Sequence, residues 1–482
     1  MSEKIVIVGN GMAGARLASE LHARGGDRKV TVLGAEPHRA YNRIMLSTLL
    51  AGKIGEPDVE LAEVAGQGVD LRFGVTATAI DRAARTVATD DGDRIAYDHL
   101  VLATGSRALV PPLPGLDGPE LPPRIVPFRT LDDCRRILAV AEGARRVLVL
   151  GGGLLGLEAA RGLAARGLDV AVVHPVPYLM ERQLDPAGAA VLAGTLAGLG
   201  VTTHLAVAAT AVAADADGVR LDLADGRSLH ADLLVLSCGV RPDTTLAAAA
   251  GLAVERGVLV DDRMRTSDRR ISAIGDCVQH DGTVTGLVAP AWAQARVVAQ
   301  VLTGEDPLAR YRPRPPVTRL KAAGIDLAAM GDPGGTDGDS EGEELTFADP
   351  ARGTYARLRI TDERLTGAIL LGDNPAVGTV IQLFDRGQPV PSDRRALLLG
   401  RALGVAPAEP AATPALMPDA ATVCQCNNVS KGALVACWRS GARTVDAVVA
   451  GTRAGTGCGS CRDAVAGIVG WLSDVDSVEV AR

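Results

Sequence analysis

The chain has 482 residues, 47% of them hydrophobic, and a formal net charge of -7, enough for about three domains with apolar cores. The acidic balance excludes a phosphate-binding surface, because nucleic-acid partners need a clustered basic face. Apolar stretches break at glycine or charge well short of the roughly 18 uninterrupted residues of a membrane helix.

At the N-terminus, Met1-Ser2-Glu3-Lys4 runs straight into the strand-like Ile5-Val6-Ile7-Val8. That leaves no room for the charged, apolar and cleavage regions of an export signal. The apolar run opens into Gly9-x-Gly11-x-x-Gly14, with Met12 and Ala13 in the gap, and then into an Ala/Leu-rich helical stretch. Such glycines permit a tight turn and close backbone approach, and the helix N-terminus that follows faces a pyrophosphate. A second strand-like run, Val30 to Glu36, ends on an acid 22 residues past Gly14, near the spacing at which a carboxylate grips a ribose hydroxyl.

Next, Tyr97 to Ser106 reads as a strand ending in Thr104-Gly105, and the rigid Val110-Pro111-Pro112-Leu113-Pro114-Gly115 follows. This pattern marks a crossover between domains. The first motif then recurs 142 residues on, as Arg146 to Leu150 followed by Gly151-x-Gly153-x-x-Gly156 with Leu155 in the gap. One fingerprint is weak, but two, each between strand and helix, imply two dinucleotide sites. The second strand of this copy, Asp169 to His174, ends on histidine, neither the acid of an NAD site nor the arginine of an NADP site. Coenzyme choice leans to NADH; a plain local hydrogen bond is the rival reading of His174.

Further on, the strand-like Arg270 to Ala273 leads to Ile274-Gly275-Asp276, whose acid either binds a polyol hydroxyl or caps the next segment. Thr354 to Ile360 and Gly367 to Gly372 alternate like strands of a small α/β domain, with the polar run Gly331 to Glu344 as a solvated loop inside it. Residues 401 to 422 are dominated by Ala and Pro, the composition of a semi-rigid linker. If the cysteine-bearing module beyond it moves on that linker, shortening the linker slows acceptor reduction and spares the first step.

Four of the eight cysteines close the chain as Cys424-x-Cys426 and Cys458-x-x-Cys461. Two close thiolate pairs supply the ligand count of a 2Fe-2S cluster, and the one-residue gap in the first pair is tight for tetrahedral zinc. Zinc and unligated or redox thiols remain the rivals. The glycines around Cys458 let amides approach cluster sulfurs, or serve only as turn residues. A module of about 60 residues is small enough to need a metal centre for stability. Thiols arranged for metal rather than for disulfides fit the cytoplasm. Cys134, Cys238, Cys277 and Cys437 are scattered singly and read as buried small hydrophobes.

Together these motifs resemble the pyridine-nucleotide-dependent FAD oxidoreductases of the glutathione-reductase-like fold, over roughly residues 1 to 395. The residues that carry the likeness are both fingerprints with Glu36 and Glu158, Ala103-Thr104-Gly105, Gly239-Val240-Arg241-Pro242 and Ile274-Gly275-Asp276. Tyr41 to Ser47 and Leu179 to Asp185 are most similar to the N-terminal half of assimilatory NAD(P)H nitrite reductase large subunits. The terminal cysteines resemble the bacterioferritin-associated-ferredoxin-like 2Fe-2S domain that follows there.

The resemblance implies an α/β fold with two Rossmann-like nucleotide-binding domains, a small α/β domain and a small helical 2Fe-2S domain. Residues 1–115 and 237–312 would form the FAD-binding domain, 116–236 the NAD(P)H-binding domain, 313–395 the small α/β domain, 396–421 the linker and 422–482 the 2Fe-2S domain. It further implies that Gly9, Gly11, Met12, Ala13, Gly14, Glu36, Arg43, Ala77 (through its backbone), Thr104, Gly105, Arg129 and Asp276 bind FAD. Gly151, Gly153, Leu155, Gly156, Glu158, His174 and Gly239 would bind NAD(P)H, and Cys424, Cys426, Cys458 and Cys461 the cluster. Trp292 packs near the flavin or is plain core. Related reductases commonly carry a lysine where Thr48 stands, so no lysine role transfers. Residues 1 to 133 contain no cysteine, which excludes thiol-disulfide chemistry at the flavin, and no general base or nucleophile is assigned.

The implied activity is electron transfer from NADH to FAD to the cluster and on to a partner. Because the chain stops after the cluster domain, without sirohaem or 4Fe-4S domains, it is expected to pass electrons on. The layout resembles the electron-transfer subunit of assimilatory nitrate reductase, with a separate molybdenum-containing catalytic subunit as partner; a homodimer is compatible with it. The rivals are the flavoprotein of an amino-acid or opine dehydrogenase and a non-catalytic iron-handling docking protein.

Overall fold

A computed structural model describes residues 2–61, 68–320, 322, 324–332, 342–374, 376–399, 414–419, 421–424, 427, 429–456 and 461–480. Its organising feature is a five-stranded parallel sheet that occurs twice with the same strand order. In the first sheet, Glu3–Val8 lies between His99–Leu102 and Arg28–Gly34, with Val69–Phe73 and Ile271–Ala273 at the edges. In the second, Arg146–Leu150 lies between Leu233–Leu236 and Asp169–Val173, with Val201–His204 and Ile125–Pro127 at the edges. Each central strand is apolar along its length past the first residues because both faces of such a sheet are covered, here by helices on one side and largely by antiparallel strands on the other; Ile5, Ile7 and Val149 are fully buried.

Each sheet also carries a three-stranded antiparallel flap, Ala77–Asp81 to Arg94–Ala96 in the first unit and Ala209–Ala214 to Ser228–Ala231 in the second. The repeat in sequence is thus a repeat in topology. The two copies differ in how the edge strand is supplied: Ile271–Ala273 arrives only after the second unit is complete, whereas Ile125–Pro127 precedes it. The second unit is therefore inserted in the first, and the two connecting segments pair with each other, Ser106–Ala108 antiparallel to Val240–Pro242.

Strands stop short of the acid and the histidine expected to end them. The first ends at Gly34, two residues before Glu36, and the second at Val173, one before His174. Beyond the nucleotide units, five antiparallel strands from Val317–Leu320 to Arg364–Leu371 form a third sheet backed by the helix Val377–Arg386. The polar run expected as loop is strand at both ends, since Gly331 closes Leu327–Gly331 and Glu343 and Glu344 open Glu343–Asp349; residues 333–341 lie outside the described residues. Asp185 joins this sheet to the second nucleotide unit. Its Oδ1 caps the helix Pro186–Gly198 through the Gly188 amide at 2.8 Å, while its Oδ2 accepts from Tyr355 at 2.6 Å and Arg357 at 2.7 Å.

The terminal module has a short hairpin, Thr422–Cys424 with Val429–Ser430, and helices Lys431–Arg439, Val445–Thr452 and Arg462–Val480. Ser430 and Thr444 cap the first two by accepting from Ala433 and Ala447, the usual use of a hydroxyl at a helix start. Linker residues 400–413 lie outside the described residues. No helix among the described residues is long and apolar enough to cross a membrane.

Candidate functional site

The two fingerprints share one steric design. At Gly9, held at φ +114°, an added Cβ would lie 2.1 Å from the Ala103 carbonyl, and at Gly14 it would lie 1.9 Å from the Gly9 carbonyl. The second copy repeats this, with Gly151 at φ +122° meeting Ser237 O at 2.2 Å and Gly156 meeting Gly151 O at 2.0 Å. The outer glycines of each motif are thus demanded by the protein itself. The middle ones, Gly11 and Gly153, have no protein atom within 4 Å of an added Cβ and N-cap their helices. Space beside a helix N-terminus, kept free of side chain, fits a dinucleotide pyrophosphate.

Around the first cradle the structure brings together side chains far apart in sequence. Glu36 accepts from the Tyr41 hydroxyl at 2.7 Å and pairs with the Arg43 guanidinium. Arg43 also donates to the Arg129 carbonyl at 3.2 Å, and Arg129 Nη2 reaches Asp276 Oδ2 at 2.6 Å and Ser106 Oγ at 2.7 Å. Glu36, Arg43, Arg129 and Asp276 therefore form one continuous network. A carboxylate offers about four lone-pair sites, so Glu36 keeps capacity for a ribose hydroxyl. The Arg129 Nε is buried without a protein partner, as expected of a donor whose acceptor is a bound group. Burial and the Glu36 carboxylate push the Tyr41 phenol well above its ordinary value, leaving it a neutral donor.

Asp276 accepts from side chains here rather than capping a helix. Gly275, at φ +82°, has its amide held by Gln294 Oε1 at 2.8 Å, and an added Cβ there would lie 3.0 Å from Ala13. Thr104 Oγ1 donates to the Asp243 carbonyl at 2.7 Å, and the Asp243 amide returns to Gly105 O at 2.9 Å. Ala77 starts the first flap close behind Val75, whose amide donates to Gly34 O at 2.9 Å. Trp292 is buried in the helix Val288–Thr303, donates to the Met12 carbonyl at 3.0 Å and lies under Arg16, which ties that helix to the first fingerprint helix. Tyr41 and Ser106 have no role assigned from sequence, although Tyr41 opens the quoted Tyr41 to Ser47 string and Ser106 closes the quoted Tyr97 to Ser106 string.

At the second cradle, Leu155 and the buried Glu158 lie in the fingerprint helix Leu154–Ala164. Gly239, at φ +102°, accepts at its carbonyl from the Leu109 amide at 2.9 Å. His174 is 6% exposed, and its ring is engaged on both sides: Nδ1 accepts from the Gly152 amide at 3.2 Å, so Nε2 carries the proton toward Glu181 Oε2 at 3.1 Å. Met180, in left-handed backbone at φ +51°, donates its amide to Gly152 O at 3.0 Å and so presses this segment onto the fingerprint turn. A carboxylate does stand at the cradle mouth, supplied by Glu181 seven residues past His174 and steered by that histidine.

In the terminal module, Cys424 ends the hairpin strand and Cys461 immediately precedes the helix Arg462–Val480, one from each cysteine pair. Both are buried in one apolar core with Val429, Leu434, Val448 and Ala454. Cys426 and Cys458 lie outside the described residues. Thiols from both pairs, one of them at a helix start where the helix dipole favours thiolate, match the donor set of a 2Fe-2S centre. Three of the other cysteines differ. Burial pushes the Cys134 thiol up to about 12 and Cys238 to about 11, and raises Cys277 as well, so these stay protonated.

A family model described as "Pyridine nucleotide-disulphide oxidoreductase" matches residues 3–295, one described as "Rubredoxin NAD+ reductase C-terminal domain" matches 316–385, and one described as "BFD-like 2Fe-2S binding domain" matches 422–471. The chain is 34% identical over 99% of its length to the assimilatory nitrate reductase electron transfer subunit of Bacillus subtilis (strain 168), covering 61% of that protein. It is 36% identical, again over 99% of its length, to the nitrite reductase [NAD(P)H] large subunit of Klebsiella oxytoca, covering 50% of it. The chain thus spans about half to three-fifths of these curated relatives, so the Bacillus subunit is longer than the layout expected from sequence. Among solved structures, a ferredoxin reductase from Rhodopseudomonas palustris superposes with TM-score 0.68 at 30% identity, over 77% of this chain and 91% of that one. With two open dinucleotide cradles, a cysteine module and these matches, the chain belongs to the pyridine nucleotide-disulphide oxidoreductase family, as an NAD(P)H-dependent FAD oxidoreductase that carries a C-terminal 2Fe-2S domain.

Proposed function

We propose that this chain takes reducing equivalents from NADH at the second cradle and releases them through the cysteine module to a separate acceptor, the catalytic subunit of an assimilatory nitrate or nitrite reductase. When bound, FAD would supply two-electron chemistry toward a hydride donor and a 2Fe-2S centre one-electron chemistry toward an acceptor. The chain's own residues bind and orient. Glu36, steadied by Tyr41 and Arg43, holds the flavin's ribose; Arg129 and Asp276 hold its neighbouring groups; Gly11 and Gly153 admit the pyrophosphates; and Cys424, Cys426, Cys458 and Cys461 hold the cluster. One observation carries the reading: Ile44, next to flavin-side Arg43, packs on the core that contains Cys424 and Cys461.

His174 and Glu181 support NADH as the donor, because a carboxylate at the cradle mouth repels a ribose 2′-phosphate. The names of the Bacillus and Klebsiella relatives support the choice of acceptor. No spanning helix among the described residues and the assimilatory relatives are consistent with a cytoplasmic site of action. The dehydrogenase and iron-handling alternatives gain no support from these relatives. Anaerobic titration with NADH, followed by visible absorption and EPR, tests the reading. Flavin bleaching followed by a reduced-cluster signal is expected; an unbleached flavin, or protein without iron and labile sulfide, overturns it.

A further inference from the structure

The short turn Arg43–Met45 and its cap Asn42 face two ways. Arg43 reaches Glu36 and the Arg129 carbonyl on the flavin side. Its neighbours reach the cysteine module: Asn42 Nδ2 donates to Asn427 Oδ1 at 3.0 Å, and Ile44 packs on the core holding Cys424 and Cys461. The turn is rigid. Asn42 is 1% exposed, its Oδ1 receives the Ile44 amide at 3.1 Å, and its own amide donates to Val59 O at 2.7 Å.

Asn427 uses its whole amide. Its Nδ2 donates to the Arg453 carbonyl and to Thr456 Oγ1 at 3.0 Å, while its Oδ1 takes the Asn42 proton. Asn427 follows Cys426, and Thr456 lies two residues before Cys458. A single side chain, next in sequence to one cysteine pair, therefore ties its own position to the stretch that leads to the other pair, and both to the turn beside Arg43. A second contact lands on the same platform, where Arg453 Nη1 donates to Glu60 O at 2.7 Å and Glu60 bridges to Tyr41.

We propose that Asn427 is a positioning residue for electron transfer. Its amide clamps the chain just after the first cysteine pair to the Arg453–Thr456 stretch before the second, and both to the Asn42–Ile44 turn, so the cysteine module works docked on the flavin-binding unit at one set separation. Electron transfer falls steeply with distance, and a clamp that removes slack sets the rate. This rests on the function proposed above, because it assigns the interface across which that transfer occurs.

The test uses the full chain loaded with FAD and cluster, as wild type, Asn427→Ala and Arg453→Gly. Arg453 sits at φ +62°, which glycine adopts without strain, so Arg453→Gly removes only the second inter-module contact. Each protein is mixed anaerobically with NADH, and flavin bleaching and cluster reduction are followed separately by stopped-flow absorption and freeze-quench EPR. Bleaching stays within about twofold of wild type, and cluster reduction slows about tenfold in Asn427→Ala and measurably in Arg453→Gly, as expected for misplaced reacting groups. Without NADH, amide hydrogen exchange speeds up across residues 41–45 and 59–61 in both variants. Should Asn427→Ala lose its cluster, Arg453→Gly decides alone. Wild-type cluster reduction in a fully loaded Arg453→Gly, with unchanged exchange, overturns the clamp. A wild-type flavin that NADH does not bleach refutes the proposed function instead, and the exchange measurement still judges the docking.

Discussion

Single side chains carry tests of their own. Burial, with Arg270 nearby, holds His99 down to about 4, and its Nε2 lies 3.1 Å from Ser272 Oγ. Above the ordinary histidine value of about 6.5 the ring is neutral in both folded and unfolded chains. As pH falls below that value, the unfolded chain takes up a proton the fold refuses, and stability drains away until about pH 4. His99→Gln should shrink the loss of stability between about pH 7 and pH 5 by roughly 2 kcal/mol, visible as a smaller drop in thermal midpoint. Glu181 is tested by selectivity. Glu181→Gln should narrow the NADH over NADPH preference in kcat/KM by about tenfold, equivalent to ~1.4 kcal/mol, with the rate of flavin bleaching as readout. The buried thiols Cys134 and Cys277 should resist iodoacetamide in the native protein and react once guanidinium unfolds it, because only thiolate is nucleophilic.

For the strand–turn–helix elements, the glycines divide into two classes with separable outcomes. Gly9→Ala or Gly14→Ala drives a methyl into a carbonyl oxygen at 2.1 or 1.9 Å, so the first unit should fail to fold. Gly11→Ala meets no protein atom within 4 Å; the protein should fold but purify with little flavin, its added methyl occupying the pyrophosphate's place. Gly153→Ala should keep its flavin and raise the KM for NADH about tenfold, a cost of ~1.4 kcal/mol. Bound-flavin absorbance with circular dichroism checks the first three, and steady-state kinetics the fourth. Loss of folding in Gly11→Ala would count against an open cradle there.

Across the whole molecule, Asp185 fastens the second nucleotide unit to the third sheet. Burial opposes its charge, but the Tyr355 hydroxyl, the Gly188 amide and Arg357 outweigh it and hold the carboxyl below its ordinary value. The tie therefore stabilises the fold above the ordinary carboxylate value of about 4 and is lost as pH falls through the lower folded value. Asp185→Ala leaves Tyr355 and Arg357 facing a gap and should cost about 3 kcal/mol, read as faster hydrogen exchange in Thr354–Thr361 and Pro186–Gly198. A cost confined to one of these two elements would show that the tie does not couple them.

Both fingerprints, the terminal cysteine-bearing module and the β-alternation around Thr354 were legible because each is local: a turn, a spacing or a period is written in neighbouring residues and acts over a few ångströms. The same reading missed what depends on residues 90 to 385 positions apart, such as Tyr41 with Leu131 and Asn42 with Asn427. It also left open what Asp276, Trp292 and His174 do, since each has two plausible partners until packing selects one. By itself the sequence determined which cofactor cradles exist and in what order, since backbone geometry at a glycine or a thiolate pair needs no distant partner. Only the tertiary structure decided that Glu181 rather than the strand end brings an acid to the second cradle, and that the cysteine module sits beside Arg43. Those outcomes follow from burial, which forces every enclosed donor and acceptor to find a partner wherever the folded chain supplies one.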